Sequence, residues 1–399
     1  MYFAFLQLTW NALQLSDLEH FNFSEGPVLY TVILYIFLLS LFLQIFYYLF
    51  SFSGVAFSKV AKNKAQDAAE LPAVTVLISA YNEYENLKKL LPILFQQDYP
   101  EFEVMVVNDR STDETADYLK AEKLHEPRLK TVTIETTPEH INNKKYALNL
   151  GIKTAKNDVL LLTDADCRPA SNVWIKEMAK KFDEKTQLVL GYSPYQRKKG
   201  VLNVFIRYET LLTAIQYLSS AISGSPYMGV GRNLAYRKSF FMEMKGFKGH
   251  SKVTGGDDDL FVNQHATKKN TKVSIGAESI IRSVPKSSWK TYIHQKRRHL
   301  SVGKFYKPGD KIKLTFFTLS HLLMWITFVV LILVLKEPYV VLGGLIFKLA
   351  IQYLIISLSL KKLGDKFKLI WLPVLDFCFI FYYLFSGFTA FFSKNIKWS

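Results

Sequence analysis

Residues 73–83 read "AVTVLISAYNE". A short run rich in Val and Ile ends in a polar turn, the pattern of a buried strand. "YENLKKLLPILFQQD" follows, with Leu87, Leu90, Leu91 and Leu94 at helical spacing. "FEVMVVND" (102–109) is a second strand that ends in an acid. "STDETADYLKAEKL" opens with Ser, Thr and Asp, residues that cap helices. "LKTVTIE" (129–135) is a third strand, "NKKYALNLGIKTA" a helix, and "DVLLLTDADCRPA" (158–170) a fourth strand ending in acids. Strands alternating with helices predict an α/β domain with a mostly parallel sheet. In such sheets ligands bind at the carboxyl ends of the strands. That rule selects Glu83, Asp109, Asp164 and Asp166, each at or just past the end of an apolar strand.

Outside this domain the composition changes. Of 399 residues, 49% are hydrophobic, and the apolar residues collect at the two ends. "PVLYTVILYIFLLSLFLQIFYYLF" (27–50) exceeds the roughly 20 apolar residues that cross a bilayer core. Residues 1–26 carry no Lys or Arg, and the run is long, which favours a retained helix over a cleaved signal peptide. Three further runs occupy 314–335, 339–360 and 369–392. Lys348 and Asp376 interrupt the last two, and an ionisable group inside a span faces protein or an aqueous pocket. The expected division is an N-terminal segment and span (1–54), a globular domain (55–312) and a C-terminal membrane domain of about three helices (313–399).

Charge sets the expected orientation. Asp17, Glu19 and Glu25 precede the first span, whereas Lys59, Lys62 and Lys64 follow it. The positive-inside rule then puts the globular domain in the cytoplasm, in a protein of the cytoplasmic (inner) membrane. The basic loop "KKLGDKFK" (361–368) agrees. The count of spans sends the C-terminus outside, while Lys394 and Lys397 oppose this and leave a re-entrant last span as the alternative. The formal charge of +16 suits a domain resting on anionic lipid heads; no nucleic-acid recognition motif accompanies it. Cys167 and Cys378 are the only cysteines, so neither a disulfide framework nor a zinc cluster is expected.

Several stretches carry candidate chemistry. "TDAD" sets Asp164 and Asp166 two residues apart at a strand end. Hard oxygen ligands spaced so can hold Mg²⁺ or Mn²⁺ and leave positions for substrate phosphates; the plainer reading is a surface turn. Neither G-x-x-x-x-G-K-[ST] nor G-x-G-x-x-G occurs, so phosphates would be held by metal and basic side chains. Lys144 opens a helix whose N-terminus favours anions, or is simply a solvated lysine. "TGGDDDL" (254–260) lines up three carboxylates that raise one another's cost of ionisation. They either cap the next helix or include a tuned base. "GVGRNLAYRK" (229–238) is a glycine-flanked turn before a strand, and "LNVFIRYETLLTAIQYL" before it reads as core with a membrane-facing edge. "SSWKTYIHQKRRHLSVGKFY" (287–306) spaces Trp289, Tyr292 and Ile293 as on a basic amphipathic helix at the membrane interface.

Taken together, "VLISAYNE", "VVNDRSTDET", "KKYALN", "LLLTDADC", "GVGRNLAYRK", "GGDDDL" and "QKRRHL" resemble, in order over residues 72–305, the motifs of family 2 glycosyltransferases. The resemblance implies the GT-A nucleotide-sugar fold. The flanking spans resemble those of membrane synthases that make cellulose, hyaluronan or poly-N-acetylglucosamine. By this resemblance Ala80, Tyr81, Asn82, Glu83 and Asp109 line the nucleotide pocket, with Asn108 standing where an Asp is usual. Lys144 and Asp164 serve the donor, Asp166 the metal with Asp164 beside it, and Arg298 the donor diphosphate. The family's motif, set in register on Leu260, implies Asp257 as the general base, Asp258 as the runner-up and Asp259 as structural, with Gly256 where Glu is common. The two glycines would leave room beside the base. Gly231, Arg232 and Asn233 fall near the acceptor channel. Gln295, Arg298 and His299 match Q-x-x-R-W, with His in place of the Trp that forms a platform for the acceptor sugar.

The implied function is a metal-dependent, inverting transfer of a sugar from a nucleotide-diphospho-sugar, expected to be UDP-linked, to a lipid-linked or membrane-associated acceptor. His299 tips the reading toward single addition. The alternatives are a processive polysaccharide synthase, for which four spans are few without self-association, and a non-catalytic sugar-nucleotide-binding membrane protein.

Overall fold

The computed structural model describes residues 26–59, 71–139, 141–334 and 338–392. Asp17, Glu19, Glu25, Lys62, Lys64, Lys394 and Lys397, used above to orient the chain, lie outside the described residues. Helix α1 (Gly26–Phe46) comes first. It loosens into a π-turn at Tyr47–Ser51 and a short helical turn at Ser53–Ala56. That turn is fastened to the globular domain: Val55 N–H donates to Ser219 Oγ (3.0 Å), which donates in turn to Phe52 O (2.8 Å).

The predicted alternation forms. β1 (Val74–Ala80), α2 (Tyr84–Phe95), β2 (Phe102–Asp109), α3 (Thr115–His125), β3 (Leu129–Ile134), α4 (Asn143–Thr154) and β4 (Val159–Asp164) follow one another. The four strands run parallel in the order β3-β2-β1-β4. Leu87, Leu90, Leu91 and Leu94 of α2 are all fully buried, as their spacing predicts. One expectation changes. The fourth strand ends at Asp164, and after a turn β5 (Cys167–Pro169) leaves the main sheet.

Helix α5 (Trp174–Ala179), β6 (Leu188–Gly191), the long α6 (Val201–Ile222) and β7 (Leu234–Arg237) come next. Then come α7 (Asp259–His265), β8 (Thr271–Ser274), β9 (Ile281–Ser283) and α8 (Trp289–Val302). Antiparallel β7 extends the sheet beyond β4, giving seven strands in the order β3-β2-β1-β4-β7-β6-β8. β9 pairs with β5 as a separate ribbon beneath the Asp166 turn. α6 is largely buried, as expected for core.

Three apolar helices close the chain: α9 (Pro308–Val334), α10 (Pro338–Leu363) and α11 (Leu372–Phe392). The boundary expected at residue 312 therefore falls inside α9. Among the described residues, three helical stretches are long and apolar enough to cross a bilayer: Val28–Ala56, Pro308–Val334 and Pro338–Leu363. The fourth expected span contributes a shorter apolar stretch, Leu369–Phe385. The two charges that interrupt these helices meet. Lys348 Nζ lies 2.7 Å from Asp376 Oδ2, and both side chains are buried. Gln352, Trp325 and Tyr208 complete the network: Gln352 Nε2 donates to Asp376 Oδ1 (2.8 Å) and Tyr208 OH (3.1 Å), and Trp325 Nε1 to Asp376 Oδ2 (2.9 Å).

The loop between α10 and α11 docks on the globular domain. Asp365 accepts from Tyr192 OH (3.0 Å) and Arg282 Nη1 (3.1 Å). Gly364 has φ +73° and sits against the backbone of Ala277, where a Cβ would collide. The loop is thus on the same side of the membrane helices as the domain.

Candidate active site

The loops after β1 and β2 are stitched together. Asn82 adopts φ +53°, a conformation Asn tolerates better than most residues. Its N–H donates to Ser111 Oγ (2.9 Å), and its Oδ1 accepts from Thr112 N–H (2.8 Å). Glu83 N–H donates to Thr115 Oγ1 (3.1 Å), and Glu83 Oε2 accepts from Asn86 (2.7 Å). Burial, and then Asp166 and Asp164, raise the Glu83 carboxyl above its ordinary value. Asp109, buried at the end of β2, holds Arg110 in an ion pair at 2.8 Å. That guanidinium stands 6.0 Å from the ring centre of the exposed Tyr81. Ala80 is buried at the end of β1.

At the neighbouring strand end the acids converge. Lys144, in the first turn of α4, reaches Asp164 Oδ1 at 3.1 Å and Asp257 Oδ2 at 3.2 Å. Burial alone would lower the Lys144 ammonium, but Asp164, Asp257 and Asp258 outweigh it and hold it above its ordinary value. Ser79, Lys144, Asp164, Gly231 and Asp257 enclose a narrow space of about 10 Å³.

The three consecutive aspartates have different surroundings. Burial would raise Asp257, yet Lys144 and a backbone hydrogen bond hold it below the ordinary carboxylate value. Asp258 is the N-cap of α7: Oδ1 accepts from Asp259 N–H (2.8 Å) and Oδ2 from Gly231 N–H (2.6 Å). Burial and then Asp257 raise it. Asp259 is raised further by burial and Asp258, and accepts from Tyr306 OH (2.8 Å) and Leu260 N–H (2.8 Å). Proton affinity alone would favour Asp258 or Asp259 as a base. Geometry favours Asp257, because both Asp258 oxygens are engaged by backbone N–H groups. Gly255 and Gly256, at φ +84° and +75°, give this turn its shape, and a Cβ on Gly256 would meet Leu260 at 2.6 Å. A Glu at 256 would be strained here, which accounts for the departure from the acidic pair.

Asp166 accepts from Ser283 Oγ of β9 at 3.2 Å. Burial, then Asp164, raise it, so two carboxylates repel across this turn. A divalent cation relieves such repulsion. Among the described residues no group of three His, Cys, Asp or Glu side chains could hold a metal alone. Two carboxylates plus substrate phosphate oxygens are a common set for Mg²⁺ and suit the hard oxygen preference of Mn²⁺. Arg232 lies over the Tyr195 ring at 4.4 Å, with a buried Nη1 that has no hydrogen-bond partner. Asn233 does not face the site. Its amide donates to Tyr192 O and Ser279 O and accepts from Trp174 Nε1, all in the core. Arg298 on α8 is half-buried and acts electrostatically on Asp257, Asp164 and Asp258. Gln295 is half-buried with its Oε1 unsatisfied, and His299 is exposed one residue beyond Arg298.

Residues 75–244 match the family model described as glycosyl transferase family 2. These residues carry a family 2 glycosyltransferase domain. The chain is 27% identical over 246 residues to "Probable glycosyltransferase YdaM" of Bacillus subtilis strain 168, covering 58% of this chain and 56% of that protein. It is 27% identical over 180 residues to the poly-beta-1,6-N-acetyl-D-glucosamine synthase of Staphylococcus aureus strain COL, covering 44% and 42%. The chain spans about half the length of the curated relatives it matches. A solved mannosyltransferase from Pyrobaculum calidifontis, in complex with GDP-Man and Mn²⁺, matches over 92% of this chain and all of that one. The TM-score is 0.61 at 18% identity, a likeness of fold: the GT-A architecture.

Within the family 2 domain, sequence reasoning passed over Lys145. It is buried, and its Nζ donates to His250 O (2.6 Å) and Val253 O (2.9 Å) in the loop leading to Asp257. The signal was present: Lys145, Leu148 and Ile152 repeat at helical spacing and share the buried face of α4. Arg110, Tyr195, Ser283 and Tyr306 were also missed, and nothing local in the sequence marks them.

Proposed function

We propose that this chain is an inverting glycosyltransferase that moves a sugar from a nucleotide-diphospho-sugar to a membrane-associated, lipid-linked acceptor. The observation that carries the reading is the pairing of Lys144 with both Asp164 and Asp257. It joins the donor end of β4 to a carboxylate on the acceptor side. Asp257 is ionised at neutral pH, and would take the acceptor hydroxyl proton as that oxygen attacks the anomeric carbon. Lys144, Arg232 and Arg298 supply positive charge for the leaving diphosphate. Asp164 and Asp166 would hold Mg²⁺ or Mn²⁺, which adds Lewis-acid stabilisation of the same charge. Tyr81 and Arg110 offer a stacking surface for the base, proposed to be uracil. Cytoplasmic placement of the domain belongs to the same proposal.

A polymer synthase is the second reading, favoured by the likeness to the Staphylococcus aureus enzyme. Membranes carrying the protein are incubated with a panel of labelled nucleotide sugars and Mn²⁺ or Mg²⁺, and the product is sized. One sugar on a lipid supports the first reading, and a long polymer the second. Chelation should stop turnover in either. Asp257→Asn should lower turnover by about a hundredfold or more, with donor binding retained. Undiminished turnover would remove Asp257 as the base.

A further inference from the structure

A second cavity lies outside the carboxylate cluster. A groove of about 660 Å³ runs between α6, α8 and α11, walled by Val204, Phe205, Trp289, Ile293, Val374 and Cys378 among others. Along α11 its lining extends from Trp371 to Phe385. That span is about 21 Å of helix, against a hydrocarbon layer of about 30 Å. The Trp371 end follows the loop that Asp365 ties to the domain, so the groove rises from the domain side into the bilayer.

Helix α8 separates the groove from the active site and presents a different face to each. Trp289, Tyr292, Ile293 and Lys296 line the groove. Arg298 and Val302 pack against Gly255, in the turn before Asp257. At about 100° per residue, His299 falls on the edge between these faces. The charges acting on it come from both sides: Lys296 from the groove, and Arg298, Arg232 and Lys144 from the site. Lys296 is held at the groove wall by Glu209 (2.5 Å) and the Tyr292 ring. Between the apolar groove and Asp257 thus stand several cations: Lys296 at the groove wall, and Arg298 and Lys144 beside the acids. An apolar tail followed by an anionic link and a sugar has the complementary order.

We propose that the groove holds the hydrocarbon chain of the acceptor lipid, whose phosphate-bearing head passes His299 to reach Asp257. This rests on the lipid-linked acceptor proposed above. His299 then gates a headgroup path where a flat platform for a growing polymer would otherwise stand.

The test uses the full chain in nanodiscs and a long-chain polyprenyl-phosphate-linked sugar with a diazirine in its tail, mapped by mass spectrometry. Cross-links should concentrate on the groove faces of α8 and α11, and unlabelled long-chain polyprenyl phosphate should compete them away. Label spread evenly over lipid-facing residues such as Ile346 and Leu354 overturns the proposal. In transfer assays, Val374→Trp should raise the KM for the long-chain acceptor about tenfold relative to a short-chain analogue, as loss of a few methylene contacts implies. Ile346→Trp, on a different lipid-facing surface, should leave that ratio unchanged. An equal effect of Val374→Trp on both chain lengths overturns the groove. Sugar transfer to lipid with an unlabelled groove removes only this proposal. A labelled groove with no transfer to any polyprenyl-phosphate-linked sugar removes the acceptor reading and, with it, the groove's role.

Discussion

Two lysines in succession do opposite work at the start of α4. Lys144 faces the acids, while Lys145 turns under the helix and pins the loop that carries Asp257. Burial pushes Lys145 down to about 8, against the pull of Asp257, Asp259 and Asp258. A lysine depressed in the folded state binds fewer protons there than in the unfolded chain. Its penalty is complete below pH 8 and is relieved as pH rises toward the ordinary lysine value of 10.5. Stability measured relative to Lys145→Met should therefore rise between those pH values and stay flat below them. At neutral pH the Met variant strands two carbonyls, so it should melt earlier by about 1–3 kcal/mol and lose turnover while Asp257 is intact. A melting difference that does not vary with pH would show that the ammonium is not the buried species. The separation of Asp257, paired with Lys144, from its two neighbours was legible through the family motif, because its register to Leu260 is local. The role of Lys145 was not, because its partners lie more than a hundred residues away.

At the scale of elements, α7 is held at its start by one side chain with two tasks. Asp258 caps the helix and also secures Gly231, joining the segment before β7 to the turn that carries Asp257. Asp258→Ala should cost about 1–3 kcal/mol, the sum of a lost cap and a stranded N–H. Asp258→Asn keeps one of the two bonds and should cost less. Both should reduce turnover far less than Asp257→Asn, as read in parallel melting and turnover assays. A collapse of activity in Asp258→Asn with unchanged stability would transfer the base role to Asp258. The parallel strands and the α2 core were legible because hydrophobic period and burial agree within each segment. The break between β4 and β5 was not. "DVLLLTDADCRPA" is locally continuous, and what divides it is pairing with β9, over a hundred residues later. Asn233 was misplaced for a related reason: a polar residue after a glycine turn looks available until Trp174, Tyr192 and Ser279 claim it.

Across the whole molecule, the domain and its membrane helices are joined at several points. Val55 and Ser219 fasten α1, and Asp365 and Gly364 fasten the loop before α11. The buried Lys348–Asp376 pair locks α10 to α11, with Tyr208 of α6 attached through Gln352. In the sequence these two charges read as interruptions of separate spans, since nothing local says that they meet. Lys348→Met or Asp376→Leu alone should each destabilise the detergent-solubilised protein by about 3–5 kcal/mol, because an unpaired charge is left buried. The double variant should recover most of the loss. Additive losses in thermal melts would show that the two charges are stabilised separately.

The pair also bears on how the chain is made. Lys348 emerges from the ribosome before Asp376, so for that interval α10 carries a charge with no counter-ion. Neither helix is a favourable solitary passenger in lipid. They would partition into the bilayer together, as a hairpin, after both have been synthesised.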